Sequence, residues 1–176
     1  MLTPLQASQK LLEENQKILF LGDSITQSGH YVAYFDAWLV AHFPNKRFTL
    51  INAGLASETV SGLSEEGHAG GRFPRPDLFE RLEQVLAKTQ PDLILACYGM
   101  NCGIYQKLDE ERFAHFREGM QRLRDAAQQH GAELVHITPP IYDNQGAAGF
   151  DYDEVLTAYS EWLVAQREAG WHVADL

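Results

Sequence analysis

Cysteine is scarce in this sequence, which has two cysteines in 176 residues. Cys97 and Cys102 stand five positions apart with no second pair, and that spacing gives neither a zinc site nor a disulfide framework. Cys97 falls in an apolar run and is expected to be a small buried hydrophobic residue, whereas Cys102 belongs to the loop that follows. We predict no metal site.

Basic residues are also few. The chain has 14 lysines and arginines against 24 aspartates and glutamates, which gives a formal net charge of -10. A nucleic acid or another polyphosphate would therefore meet long-range repulsion. Arg72, Arg75 and Arg81 lie near one another in sequence but form no basic stripe. We predict no nucleic-acid partner and interpret the acidic balance as a solubility feature.

Long apolar runs are missing as well. No stretch approaches the roughly 20 residues that a membrane span needs, and residues 1–16 lack the basic region and apolar core of a signal peptide. The compartment stays open, because a removed leader would leave no trace. Hydrophobic residues make up 45% of the chain and charged residues 22%, so we predict one globular domain over residues 1–176 with a sizeable core.

Short apolar runs alternate with stretches of helical period, which is typical of a parallel sheet covered by helices. The predicted strands are 18–21, 48–51, 93–98, 134–138 and 172–176. The predicted helices are 30–43, 77–89, 109–130 and 151–169, with a short helix over Leu5 to Leu12 before the first strand. The pattern predicts a three-layer α/β/α, flavodoxin-like fold with a five-stranded parallel sheet. One long loop, 53–76, interrupts it, and loops of that length are usually functional or disordered.

The first strand ends in Gly22, Asp23 and Ser24, which places Ser24 on the turn from strand to helix. A hydroxyl there stands above the sheet edge, beside the free N–H groups of the helix N-terminus. Ser24 is therefore a candidate nucleophile. The alternative is that Ser24 and Thr26 only cap the helix.

Two further strand ends carry hydrogen-bond donors. Asn52, Ala53 and Gly54 follow the second strand, and Asn101 follows the third. An oxyanion needs two or three preorganised donors, and the Ser24 N–H, the Gly54 N–H and the Asn101 side-chain amide would supply three. Singly, Gly54 could be a turn glycine and Asn101 a loop cap.

The blocks Ile18 to Thr26, Asn52 to Gly54 and Gly99 to Asn101 resemble, in order and spacing, the first three blocks of the SGNH/GDSL hydrolase family. The resemblance implies a serine esterase that needs no metal or organic cofactor. It implies Ser24 as the nucleophile of an acyl-enzyme, with Gly54 and Asn101 completing the oxyanion hole, and Asp23 orienting the turn. The third block usually continues with Asp, where this sequence has Cys102.

The last block of that family is an Asp-x-x-His after the fifth strand, and no such motif occurs in this sequence. Serine alone is a weak nucleophile and needs an adjacent base. We expect the chain to be C-terminally incomplete, with its last helix and the catalytic Asp and His missing, and to hydrolyse esters weakly by itself. Of its seven histidines, His30 and His68 lie nearest the predicted site, and the others are expected to be structural or solvated.

The substrate is predicted less directly. Asp23, Glu58 and Arg72 are candidate substrate-binding residues, and the polar long loop suits a sugar or small acyl ester better than a lipid tail. The resemblance favours deacetylation of carbohydrates. One alternative is a glycan-binding pseudoenzyme that lacks the base. Another is a phosphate- or flavin-binding domain of flavodoxin type. The sequence does not predict the oligomeric state.

Overall fold

The computed structural model describes residues 11–12, 16–142 and 151–176. The helix expected over Leu5 to Leu12 lies outside the described residues, apart from Leu11 and Leu12, which are not helical. No helix in the described part of the chain is long and apolar enough to cross a bilayer.

The described strands form one parallel sheet with the strand order β2-β1-β3-β4-β5. This is the flavodoxin-like order, so the predicted fold class is confirmed. The central strands are apolar on both faces because helices or side chains cover both sides. The strands are β1 (Gln16–Gly22), β2 (Phe48–Asn52), β3 (Leu93–Cys97), β4 (Glu133–Ile137) and β5 (His172–Ala174).

The α-helices follow the predicted order, except that a short separate helix precedes the one predicted at 30–43 and that two of the predicted helices are interrupted. The α-helices are α1 (Ser24–Ser28), α2 (His30–His42), α3 (Leu82–Thr89), α4 (Glu110–Gln129) and α5 (Asp153–Ala165), and short 3-10 helices span His68–Gly71, Leu78–Glu80 and Gln166–Ala169. The single helix predicted over 77–89 is wrong, because Arg81 leaves the helical region at a φ of -127°. Its side chain reaches instead to Glu58 and to the carbonyl oxygen of Ala53. The helix predicted over 151–169 changes to a 3-10 helix after Ala165.

The two faces of the sheet are covered unequally. Leu19, Leu21 and Ile94 point to the face packed by α3, α4 and α5, where the larger core lies. Ile18 and Phe20 point to the opposite face, because side chains alternate along a strand. Within the described residues, that second face packs against α2 and Leu12.

An apolar groove of about 520 Å³ opens on this second face. It is lined by side chains of the sheet and of α2, including Phe20, Phe35, Trp38, Leu95, Val135 and Ile137. Helix α2 is rich in apolar residues but buries only Leu39 fully, and it leaves Tyr34 78% and Val40 67% exposed. We call this surface the sheet groove.

The long loop between β2 and α3 is closed at its base. The Thr59 N–H donates to the Pro76 carbonyl oxygen at 3.0 Å, and the Leu78 N–H donates to the Thr59 carbonyl oxygen at 3.0 Å. A parallel bridge between Thr59 and Asp77 results. The loop therefore folds back on itself as a compact unit beside the carboxyl ends of the strands.

Candidate active site

Ser24 is the first residue of α1 and is exposed at the carboxyl end of β1. The cap of this helix is the neighbouring Asp23, whose carboxylate accepts a hydrogen bond from the Ile25 N–H at 2.9 Å. The Thr26 hydroxyl forms a hydrogen bond with the Tyr31 hydroxyl at 2.9 Å. Helix capping therefore does not explain Ser24, and its hydroxyl stays accessible at a helix N-terminus.

Gly54 lies against α1. A Cβ atom at this position would stand 2.3 Å from the Gln27 nitrogen, so only glycine allows the end of β2 to approach the helix this closely. The Gly54 N–H donates to the Asn52 side-chain oxygen at 2.9 Å, and the Asn52 amide nitrogen donates to the Thr26 carbonyl oxygen at 2.7 Å. The predicted oxyanion donor is thus bonded within the protein, and it would have to share or exchange that bond to contact a substrate.

Asn101 lies in the turn after β3 and is 4% exposed. Its Oδ1 accepts hydrogen bonds from Arg75 Nη1 at 2.9 Å and from the Tyr105 hydroxyl at 3.1 Å. Because a guanidinium can only donate, the atom facing Arg75 must be the amide oxygen. The amide nitrogen has one long contact, 3.5 Å to the Glu58 carbonyl oxygen, and keeps donor capacity for another acceptor.

Arg75 joins the long loop to Asn101. Its Nε and Nη2 each bind a carboxylate oxygen of Glu65 at 2.6 Å. Burial raises the pKa of Glu65, but the hydrogen bonds from Arg75, from the backbone and from His68, together with the charge of Arg75, hold the pKa below its usual value. The His68 Nδ1 lies 3.3 Å from Glu65 and extends the same group of side chains.

The Asp23 carboxyl group is 2% exposed. Burial raises its pKa to about 6, against the hydrogen bond from the Ile25 N–H and with a contribution from the charge of Glu58. A carboxyl group that titrates near neutral pH therefore stands next to Ser24 in sequence.

The three candidate substrate-binding residues occupy different surroundings. Glu58 is fully buried, and its oxygens accept hydrogen bonds from Arg81 Nε at 2.5 Å and from the Tyr98 hydroxyl at 2.6 Å. Asp23 is almost fully buried as the α1 cap. Only Arg72 is exposed, on the long loop. Glu58 and Asp23 therefore have little surface with which to contact a substrate.

Cys102 is completely buried where the family pattern has Asp. Burial raises the pKa of its thiol to about 12, so the side chain is neutral. Its N–H donates to the Gly99 carbonyl oxygen at 2.9 Å and its carbonyl oxygen accepts from the Ser61 hydroxyl at 3.2 Å. The backbone of the Asn101 turn is thus held without a carboxylate at this position.

No histidine in the described part of the chain hydrogen-bonds to Ser24. His136 is buried in β4 and stacks on Trp171 at 4.7 Å, with no hydrogen-bond partner for either ring nitrogen among the described residues. Burial lowers its pKa to about 3, so it is neutral and belongs to the core. His68 contacts Glu65, and His30 begins α2 on the surface. Nor do the described residues form a cluster of three or more potential metal ligands.

The partners of Asn101 are not apparent from the sequence. Arg75 and Glu65 are members of the polar long loop, and Tyr105 belongs to the loop after β3. Arg75 and Asn101 lie 26 positions apart in the chain, so no local sequence pattern predicts their contact.

Solved enzymes share this fold. A gut microbial diltiazem-metabolizing enzyme superposes with a TM-score of 0.70 at 19% identity, over 93% of this chain and 37% of its own. An acetylxylan esterase from Geobacillus stearothermophilus superposes with a TM-score of 0.68 at 20% identity, over 92% of this chain and 76% of its own. Catalytic mutants of that esterase replace a serine, an aspartate or a histidine by alanine. This chain thus spans little more than a third of the first enzyme and about three quarters of the second.

At these identities the structural similarity concerns the fold alone, and no curated protein sequence matches the chain significantly. The sequence pattern of the GDSL-like lipase/acylhydrolase family, however, matches residues 20–176. That range begins inside β1 and includes Ser24, Gly54 and Asn101, and it speaks against the phosphate- or flavin-binding alternative. This chain belongs to the GDSL-like lipase/acylhydrolase family.

Proposed function

We propose that this chain carries the nucleophile and the oxyanion donors of an ester hydrolase that works through a Ser24 acyl-enzyme. The observation that carries the proposal is the position of Ser24, exposed at the N-terminus of α1 while Asp23 provides the helix cap. Because Asp23 and not Ser24 caps the helix, the Ser24 hydroxyl at this strand end is suited to attack a carbonyl carbon. Family membership supports the same reaction class.

In the proposed reaction the Ser24 oxygen attacks the ester carbonyl and loses its proton to a base. The carbonyl oxygen becomes negatively charged and is stabilised by N–H groups already in place. We assign this task to the Ser24 N–H and the Asn101 amide nitrogen, with the Gly54 N–H as a third donor that must first share its bond with Asn52. Collapse of the intermediate breaks the bond between the carbonyl carbon and the alcohol oxygen, and the alcohol leaves with the proton that the base had taken. Water then gives a proton to the base, attacks the acyl-enzyme carbonyl and releases the acid, and Ser24 regains its proton.

For the substrate we propose an acetyl or other small acyl ester of a carbohydrate. The loop beside the site is rich in polar side chains, and the exposed Arg72 is the member placed to meet a substrate from solvent. The acetylxylan esterase with the same fold supports this class. A second candidate is a glycan-binding module that does not cleave its ligand, which is favoured by the lack of any histidine bonded to Ser24 among the described residues.

Substitution of the nucleophile tests the proposal. Ser24→Ala is expected to abolish both hydrolysis of 4-nitrophenyl acetate and covalent labelling by a fluorophosphonate probe. Asn101→Ala is expected to lower the rate of either reaction by about 100- to 1000-fold, the usual loss for one oxyanion donor. Ser28→Ala is the matched control, because Ser28 lies on the same helix and its hydroxyl donates to the Ile25 carbonyl oxygen.

Two results would count against this function. Unchanged hydrolysis after Ser24→Ala would mean that another group attacks the ester. Absence of labelling and of turnover in the wild-type protein, together with measurable binding of acetylated xylooligosaccharides in calorimetry, would favour the glycan-binding module.

A further inference from the structure

The amide oxygen of Asn101 is fully engaged. Its two acceptor positions are filled by Arg75 Nη1 at 2.9 Å and by the Tyr105 hydroxyl at 3.1 Å. A side-chain amide is planar, so fixing the oxygen also fixes the direction of the nitrogen. The nitrogen of Asn101 is therefore the atom left to act as a donor.

Arg75 is itself held firmly. The residue is 8% exposed, two of its nitrogens bind Glu65 in a bidentate pair, and its guanidinium lies 5.3 Å from the centre of the Tyr105 ring. A bidentate pair restricts the rotation of the guanidinium more than a single contact does. The remaining nitrogen, Nη1, is thereby aimed at Asn101.

We propose that Arg75, anchored by Glu65, is a positioning residue that orients and polarises the Asn101 amide for oxyanion stabilisation. The inference rests on the proposed function of Asn101 and adds a residue that acts through it. A cationic donor on the amide oxygen withdraws electron density and strengthens the N–H group as a donor, because hydrogen bonds in a chain polarise one another. Arg75 does not contact the reacting atoms in this scheme.

A purely structural role of Arg75 in closing the loop is the competing explanation. Other contacts also hold the loop, however. Arg81 binds the Glu58 carboxylate and the Ala53 carbonyl oxygen, and the bridge between Thr59 and Asp77 closes the base. Loss of Arg75 should therefore leave the fold in place and change the rate of the reaction.

A double-mutant cycle tests the inference. Arg75→Met is expected to lower kcat for 4-nitrophenyl acetate, and the second-order rate of Ser24 labelling by a fluorophosphonate, by about tenfold to 100-fold with little change in KM. In an Asn101→Ala background, Arg75→Met is expected to lower the two rates by less than about a further threefold. The effects of residues that act as a unit are not additive. Tyr105→Phe removes the hydroxyl contact to the Asn101 oxygen and keeps the contact from Arg75. It should lower both rates about two- to fivefold.

Arg75→Lys separates positioning from folding. One ammonium group can keep a cation beside Glu65 but cannot bind both Glu65 oxygens and Asn101, so this variant should retain the wild-type melting temperature and still lose rate. Arg117→Met is the control for loss of a surface guanidinium, since Arg117 pairs with Glu110 on α4. It should leave the labelling rate unchanged.

The outcomes separate this inference from the proposed function. If Ser24→Ala and Asn101→Ala reduce labelling but Arg75→Met does not, only the role of Arg75 is overturned. Equal losses from Arg75→Met in the wild-type and Asn101→Ala backgrounds would also overturn it, because Arg75 would then act independently of Asn101. If Ser24→Ala or Asn101→Ala has no effect, the proposed function itself fails.

Discussion

Two effects on the protonation of the Asp23 carboxyl group oppose each other. As a helix cap, it favours its charged form through the bond to the Ile25 N–H. As a residue that is 2% exposed, it favours its neutral form, and burial raises its pKa to about 6 from 3.8. The charge on Asp23 is therefore a cost to the folded state at neutral pH.

Asp23→Asn should remove that cost. Because the pKa of Asp23 is higher in the folded protein than in the unfolded chain, its stabilising contribution is fully present below pH 3.8 and is lost as pH rises through 6. Asparagine caps helices as well as aspartate and does not titrate. Relative to the variant, the wild type should lose roughly 2–3 kcal/mol of unfolding free energy between pH 4 and pH 8.

Urea denaturation at pH 4, 6 and 8 measures this difference. Asp36→Asn is the matched control, because Asp36 is exposed on α2 and the same substitution there removes no buried charge. Parallel stability curves for the wild type and Asp23→Asn across this range would contradict the assigned titration.

At the level of single residues, the sequence does not show which polar side chains are buried. Glu58 and Asp23 looked like substrate-binding candidates because they are polar residues near the predicted site. The structure buries both, and Glu58 forms an ion pair with Arg81. Polar character in sequence does not distinguish a residue that faces a substrate from one that holds a loop, because the difference lies in partners that are 23 residues away.

Among the elements, α4 packs closely against the long loop at Gly119. A Cβ atom there would stand 1.9 Å from the Val60 carbonyl oxygen, so the helix can pack against this backbone only without a side chain. Glycine in a helix interior normally lowers stability by about 1 kcal/mol relative to alanine. At Gly119 the contact with Val60 should reverse that sign.

Gly119→Ala is expected to lower the unfolding free energy by about 1–3 kcal/mol, because the helix or the loop must move to relieve the overlap. Glu118→Ala is the control on the same helix. Glu118 is exposed, so its replacement should be neutral or slightly stabilising through helix propensity. Chemical denaturation of the two variants gives the comparison, and a gain in stability for Gly119→Ala would show that the loop yields easily at Val60.

The elements themselves were largely predictable. Apolar runs predict all five described strands. Helix α4 has apolar residues at three- and four-residue steps, Phe113, Phe116, Met120 and Leu123, and its start is capped by Asp109. The break at Arg81 was not predictable from spacing, because it follows from contacts with Glu58 and Ala53 that form only in the folded protein. Local pattern fixes the type of an element, and tertiary contacts fix its continuity.

At the scale of the whole molecule, the two faces of the sheet differ in how they meet solvent. One face carries three α-helices, and the other carries α2 and leaves the sheet groove open among the described residues. Contiguous apolar surface of this kind is uncommon on a folded protein. The flavodoxin-like order of the strands could be predicted from the chain, whereas the residues that line the sheet groove are known only from the packing of α2 against the sheet.

The polypeptide of residues 1–176 should therefore bind an apolar dye while fully folded. Addition of 8-anilinonaphthalene-1-sulfonate under native conditions is expected to give enhanced, blue-shifted fluorescence. Val135→Glu places a charge in the sheet groove and should reduce the signal, with circular dichroism as the check on folding. Val40→Glu, on an exposed position of α2 that does not line the groove, should leave it unchanged. Wild-type fluorescence no higher than that of free dye would contradict an open groove.

The positions of the candidate site residues are set by distance from strand ends. Ser24, Gly54 and Asn101 follow the ends of β1, β2 and β3 by two, two and four residues. Extra residues in the connections far from these ends would leave the three groups where they are. One residue inserted into a strand would displace its group by about 3.3 Å and turn the side chains over. Insertions and deletions should therefore be tolerated in the crossover helices and their outer loops. Homologous chains of different length can keep the same chemistry only if the lengths and alignment of the strands are conserved.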